Sequence, residues 1–160
     1  MSQAELESVP QGPAPVPAPA MSVLVATDGS GHALKAARFV AGILPSGAEI
    51  RLLVVLSMEL QPRTYLGDLS DAEARRARIE EATEEAVAET RRILQAAGHP
   101  VSVHRRFGNP PDETLAEVEE WKPDLVVVGR RGVSRASSFL LGSVSSFLLR
   151  HSPAPVLVVP

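Results

Sequence analysis

The sequence predicts an α/β protein: a parallel β-sheet covered by helices on both faces. Two observations carry the expectation. Strand-length apolar runs alternate with helix-length amphipathic ones, giving five strands and four helices in 160 residues. The strand runs are apolar nearly throughout, as strands covered on both faces must be. Each β–α–β crossover is then right-handed.

The elements follow in order. Ser22–Thr27 (SVLVAT) is the first strand. Ser30 N-caps a helix reaching about Leu44, with Leu34, Ala37, Val40 and Ala41 on one face, and Pro45-Ser46-Gly47 ends it. Glu49–Leu56 (EIRLLVVL) is the second strand, followed by a polar loop containing Pro62, Tyr65 and Gly67. Ser70 and Glu73 have the S-x-x-E spacing of a capping box and open a long helix to about Ala97. Its expected apolar stripe is Ala72, Ile79, Ala82, Ala86, Ile93 and Ala97, and Gly98 is the stop. Val101–Arg106 alternates as a strand. Pro111 opens a helix with Leu115, Val118 and Trp121 facing inward. Asp124–Val128 is a further apolar strand ending in Gly129. After a glycine- and serine-rich loop come a helix at Ser143–Arg150 and a closing strand, Pro155–Val159.

Residues 1–20 are rich in Pro and Ala and have little to bury, so they are expected to form a disordered tail ahead of one domain over 21–160. They lack the basic and apolar regions of a signal peptide. No run approaches the roughly 18 apolar residues of a membrane span, and the expected location is the cytoplasm. The absence of cysteine excludes disulfides, thiolate metal sites and cysteine nucleophiles. Net charge is −3, and two of the 19 acids, Glu5 and Glu7, lie in the tail. The near-neutral remainder has no electrostatic footprint for nucleic acid or anionic lipid.

In an open α/β sheet, ligands bind beyond the carboxyl ends of the strands where the winding reverses. Asp28, Ser57 and Gly129 follow strands at such ends. The strongest signal is residues 129–143, GRRGVSRASSFLLGS. Gly129 and Gly132 bracket a tight turn where the missing side chains let backbone approach a ligand and permit positive φ. Gly142-Ser143 then opens a helix whose first amides have no partner inside it, which makes an anion site. One helix end contributes about 0.3–1 kcal/mol, and up to about 2 when partly buried, whereas micromolar binding requires roughly 8 kcal/mol. Several amides, the Ser143 hydroxyl and a base pocket must therefore act together.

Gly129-x2-Gly132-x9-Gly142-Ser143 resembles the G-2x-G-9x-G(S/T) signature of ATP-binding universal stress proteins. The likeness extends over about residues 22–160, through V-L-V-A-T-D-G-S, G-N-P, D-L-V-V-V-G and the closing P-V-L-V-V. It implies a three-layer α/β/α fold, like that of the adenine nucleotide alpha hydrolases, with a five-stranded parallel sheet of order 3-2-1-4-5. It also implies that Ala26 lines the adenine, that the Val55 backbone reads the adenine edge, and that Asp28 lies near the ribose or a metal ion. Gly129, Gly132, Gly142, Ser143 and Val144 would cradle the phosphates. The implied ligand is ATP, with Mg2+ or Mn2+ as an accompanying ion. The implied assembly is a homodimer through Pro155–Val159. Arg130-Arg131 departs from the pattern, because many relatives carry Ser or His there.

Blander readings stand beside these. Asp28 before a helix is often only a dipole partner, and Val55 is by default a core strand residue. Arg130, Arg131 and Arg135 read as a solvated basic loop, and the glutamates of the long helix as a solvated face. His32, His99, His104 and His151 have no metal-ligand spacing, and Trp121, Phe139 and Phe147 read as core. Gly132-Val-Ser134-Arg-Ala136 is loosely similar to a nucleophile elbow, but no acid follows Asp124 to complete a triad. A Walker A motif fails because Lys35 is followed by Ala36 and Lys122 by Pro123. The expected function is that of an ATP-binding stress-response or signalling module with at most slow hydrolysis. The alternative is a scaffold of the same fold that binds partners and no nucleotide.

Overall fold

The structure is a computed structural model and describes residues 20–57, 69–132 and 141–160. The expected tail, the loop around Tyr65, and the stretch holding Ser134, Arg135 and Phe139 lie outside the described residues. The chain runs β1 (Ser22–Thr27), α1 (Gly31–Ile43), β2 (Glu49–Leu56), α2 (Leu69–Ala96), β3 (Val101–Phe107), α3 (Pro110–Trp121), β4 (Leu125–Gly129), α4 (Ser143–His151) and β5 (Val156–Val159). All four strand pairs are parallel, and the order is β3-β2-β1-β4-β5. The fold is the expected three-layer α/β/α arrangement. The winding reverses between β1 and β4, which opens a crevice at their carboxyl ends.

Two cores follow from the period-2 alternation of the strands. Val23, Val25, Ile50, Leu52, Val54 and Val127 face α1 and α2, where Ala36, Ala37, Val40, Val87 and Leu94 complete one cluster. Leu24, Leu53, Val126 and Val128 face the other way, against Val118 of α3 and Leu148 of α4. Both faces of the central strands are buried over most of their length, which explains why those strands are apolar at most positions.

The helix faces differ in detail from expectation. In α1 the buried residues are Ala33, Ala36, Ala37 and Val40, while Leu34 and Ala41 are only half-buried. In α2 the buried line is Val87, Thr90 and Leu94, whereas Ala82 and Ala97 are exposed. Alanine is nearly indifferent between core and surface, so a stripe drawn through alanines does not fix which way a helix turns. The larger Val87 and Leu94 decide the rotation, at i and i+7 on one face. Thr90 follows because its hydroxyl donates to the Ala86 carbonyl at 2.7 Å and is satisfied within its own helix.

The sequence reading passed over Glu117, which is 3% exposed on the inner face of α3. Its carboxylate accepts from Arg51 Nη1 of β2 at 2.7 Å and from Arg106 Nε of β3 at 2.6 Å, with His104 Nδ1 at 3.3 Å. Arg106 also reaches Glu113 at 3.3 Å and pairs with Glu120. Arg51 lies 4.2 Å over the Trp121 ring. Burial alone would raise the Glu117 carboxyl, but hydrogen bonds from Arg106 and Arg51 outweigh it and hold the group below the usual carboxylate range. A carboxyl lowered in the folded state contributes stability that is fully present above its unfolded pKa, roughly 4.3, and is lost as pH falls through its folded value. Stability followed by circular dichroism should therefore fall below about pH 4.3. Glu117→Gln should flatten that acid limb and lower stability at pH 7 by about 3 kcal/mol. Wild-type behaviour on both counts would remove Glu117 from this role.

Candidate functional site

The crevice is built from the turn after β1, the turn after β4 and the start of α4. β1 stops at Thr27, and Asp28 Oδ1 accepts the Ser30 amide at 3.0 Å, closing an Asx-type turn. Gly29 sits at φ +75°, the left-handed region that favours glycine. Ser30 caps α1 as expected, accepting the Ala33 amide at 3.2 Å, and its own hydroxyl donates to the Arg131 carbonyl at 3.4 Å. The first turn is thereby tied to the glycine loop 101 residues away.

The glycine loop is pinned at both ends. The Arg130 amide donates to Val159 of β5 at 2.8 Å, and the Arg130 carbonyl accepts the Gly142 amide at 2.8 Å. Ser145 Oγ also approaches the Arg130 carbonyl, at 3.1 Å. The glycines are needed for space. A Cβ on Gly129 would lie 2.7 Å from the His32 carbonyl carbon of α1, and one on Gly142 would lie 3.2 Å from Arg131 Cα. One on Gly132 would run into the Asp28 carboxylate. The expectation of positive φ is corrected: neither Gly129 nor Gly132 is among the positive-φ glycines, and Gly142 has φ −64°. Close approach of three backbone segments, not a left-handed turn, excludes side chains here.

Gly142 is the N-cap of α4 and has no side chain with which to cap it. The first helical bond runs from the Ser146 amide to the Gly142 carbonyl at 2.9 Å, so the amides of Ser143, Val144 and Ser145 precede the intrahelical ladder. Ser143 is exposed at this end. The dipole of α4 adds partial positive charge at the same place.

The apolar candidates share one face. Ala26, Val55 and Val144 all pack against the cluster formed by Leu24, Leu53 and Val126. Pairing of β1 with β2 ends at Thr27 opposite Val54, so Val55 lies one step beyond the end of β1. The Glu49 amide donates to Met21, the residue before β1; by alternation, every second residue from Glu49 to Val55 turns its backbone groups toward β1. The Val55 carbonyl therefore borders the crevice. Of the eight sequence-selected residues, Ala26, Val55 and Val144 share one apolar face, Asp28 meets Gly132, Gly129 ends β4, and Gly142 and Ser143 open α4.

Other expectations do not gather there. Arg130 is exposed, and Arg135 lies outside the described residues. Among the described residues no group of three or more His, Asp or Glu side chains forms a metal site. His104 pairs with Glu117, and His99 is buried with neither ring nitrogen hydrogen-bonded. Phe147 is half-buried and stacks on His151 at 4.4 Å between ring centroids. Two surface grooves lie away from the crevice, one between α2 and β3 and one beside Pro123, Asp124 and Pro155.

A parallel sheet of order 3-2-1-4-5, with helix N-termini and a glycine-cleared loop at its switch point, defines a doubly wound α/β protein whose crevice is edged by backbone amides. The sequence profile of the Universal stress protein family matches residues 20–160, and the chain belongs to that family. It is 36% identical over 138 residues to a Thermus aquaticus protein named as the universal stress protein in the QAH/OAS sulfhydrylase 3' region, covering 86% of this chain and 97% of that one. A universal stress protein of Methanocaldococcus jannaschii is 28% identical over 138 residues, covering 86% of this chain and 80% of its own length. Among solved structures, a universal stress protein in complex with cAMP superposes with a TM-score of 0.59 at 27% identity, over 88% of this chain and 96% of that one.

The crowding at Gly129 is directly testable by thermal unfolding. Gly129→Val should destabilise the protein by about 1–3 kcal/mol, the usual effect of overpacking. Gly31→Ala, where a Cβ meets nothing within 4 Å, should be neutral or slightly stabilising. Equal melting temperatures for the two variants would refute the close approach.

Proposed function

We propose that this protein binds ATP in the crevice and acts in the cytoplasm as a nucleotide-dependent stress-response or signalling module. The observation that carries the reading is the set of amides at Ser143, Val144 and Ser145, ahead of the α4 ladder and beside the close backbone approach at Gly129 and Gly142. A phosphate chain needs several hydrogen-bond donors at one point, and the start of α4 offers amides that lie ahead of the helical ladder. The related protein solved with cAMP supports an adenine nucleotide as the ligand class.

Each residue has a role in this reading. Ala26 keeps the adenine slot open by being small, and the Val55 backbone meets the adenine edge. Gly129, Gly132 and Gly142 let the loop take the shape that cradles the phosphates, which the Ser143 hydroxyl and the Ser143 and Val144 amides hold. Asp28 serves the ribose hydroxyls or an accompanying Mg2+ or Mn2+, since a bare carboxylate would repel phosphate. In this reading the protein is a binder with at most slow hydrolysis, because none of the described residues assigned to the crevice has the role of a base for water. β5 is an edge strand, and its Pro155–Val159 segment is the surface through which two copies pair.

Titration of ATP should give an affinity at least about tenfold weaker for Gly142→Val than for wild type, because the larger side chain pushes Arg131 out of place. Equal affinities would end the ATP reading. Adenine nucleotide in the extract of the purified protein would favour it over the scaffold alternative. Phosphate release with Mg2+ or Mn2+ should be slow, and rapid turnover would make the protein an enzyme.

A further inference from the structure

We infer that Thr90 and Ala86 of α2 are positioning residues for the Asp28 turn, so that the seating of α2 helps to set the geometry of the crevice. The expected change in affinity rests on the nucleotide reading above; the expected change in the turn does not.

Proton counting gives the contact a direction. Thr90 is fully buried, and its single hydroxyl proton goes to the Ala86 carbonyl at 2.7 Å. In the 3.5 Å contact between Thr27 Oγ1 and Thr90 Oγ1, Thr27 is then the donor. Thr27 Oγ1 in turn accepts the Gly29 amide at 3.3 Å. One partly buried chain of polar contacts thus runs from the Gly29 amide through two threonine hydroxyls, at the long separations of 3.3 and 3.5 Å, to the backbone of α2.

A steric contact reinforces it. A Cβ on Gly29 would lie 2.5 Å from Ala86 Cβ, so the Ala86 methyl is seated directly against the turn. Gly29 is the centre of the turn whose Asp28 carboxylate lies against Gly132 and whose Ser30 hydroxyl bonds Arg131. The turn is clamped between α2 on one side and the glycine loop on the other. A shift of α2 would therefore move Asp28 relative to the amides of α4. None of the eight residues selected for the crevice lies on α2.

Thr90→Val keeps the shape, leaves the Thr27 proton without its acceptor, and touches no group placed in the crevice. In nucleotide-free protein, amide exchange at Gly29 and Ser30 should speed up about tenfold, while amides of the central strands keep their wild-type protection. ATP affinity should fall by about the same factor, and Thr90→Ser should restore both readouts, since it returns the hydroxyl. Unchanged exchange at Gly29 and Ser30, or no restoration by Thr90→Ser, would overturn the assignment. A faster-exchanging turn in a protein that binds no ATP would uphold the positioning role and reject the nucleotide reading. If Thr90→Val does not fold, Ala86→Gly removes the methyl seat instead. Faster exchange confined to the turn would then support the role, and wild-type exchange there would overturn it.

Discussion

The structure depends on a close approach of backbone to backbone at the carboxyl ends of β1 and β4. Three chain segments meet there: the turn into α1, the exit of β4 and the start of α4. They meet without side chains between them, because a Cβ on Gly129 would strike His32 and one on Gly142 would crowd Arg131. Hydrogen bonds then fix what the missing side chains allow. The Arg130 carbonyl holds Gly142, and the Ser30 hydroxyl holds Arg131. A Cβ at Gly129 would force the β4 exit away from α1, and one at Gly142 would push Arg131 by a few tenths of an ångström.

Away from the crevice, the sheet is organised by a second constraint of opposite character. Glu117 is a buried carboxylate on α3, and it is tolerable only because guanidinium groups from two neighbouring strands meet it. Removing one arginine would leave the buried carboxylate with half of its guanidinium contacts, so the three residues act as a unit. They fix α3 across β2 and β3 with a directionality that apolar packing alone does not provide. The face carrying this network also carries Ala26, Val55 and Val144, so the orientation of α3 and the apolar side of the crevice belong to one layer.

The long helix α2 shows how a cover element acquires a further role. Its buried line, Val87, Thr90 and Leu94, includes a hydroxyl that reaches across to Thr27. A purely apolar helix would close the core equally well. The threonine pair instead couples the helix to the turn that carries Asp28, at the point where Gly29 has neither the dihedral nor the space for a side chain.

The order of elements, the parallel character of the sheet and the stations of Asp28, Gly129 and Gly142 were legible in the residues themselves. Double-faced burial forces apolar runs, and Ser30 and Gly142 mark helix starts by local chemistry that needs no distant partner. The local code could not say which way α2 turns, because its many alanines fit core and surface alike. Nor could it single out Glu117, which looks like any surface glutamate until Arg51 and Arg106 are brought beside it from strands 66 and 11 residues away. The reason the crevice glycines are glycines was likewise hidden. Their dihedrals are ordinary, and only the tertiary approach of His32, Asp28 and Arg131 shows that the room is already taken. Sequence determines what depends on neighbours along the chain; contacts across the sheet decide the rest.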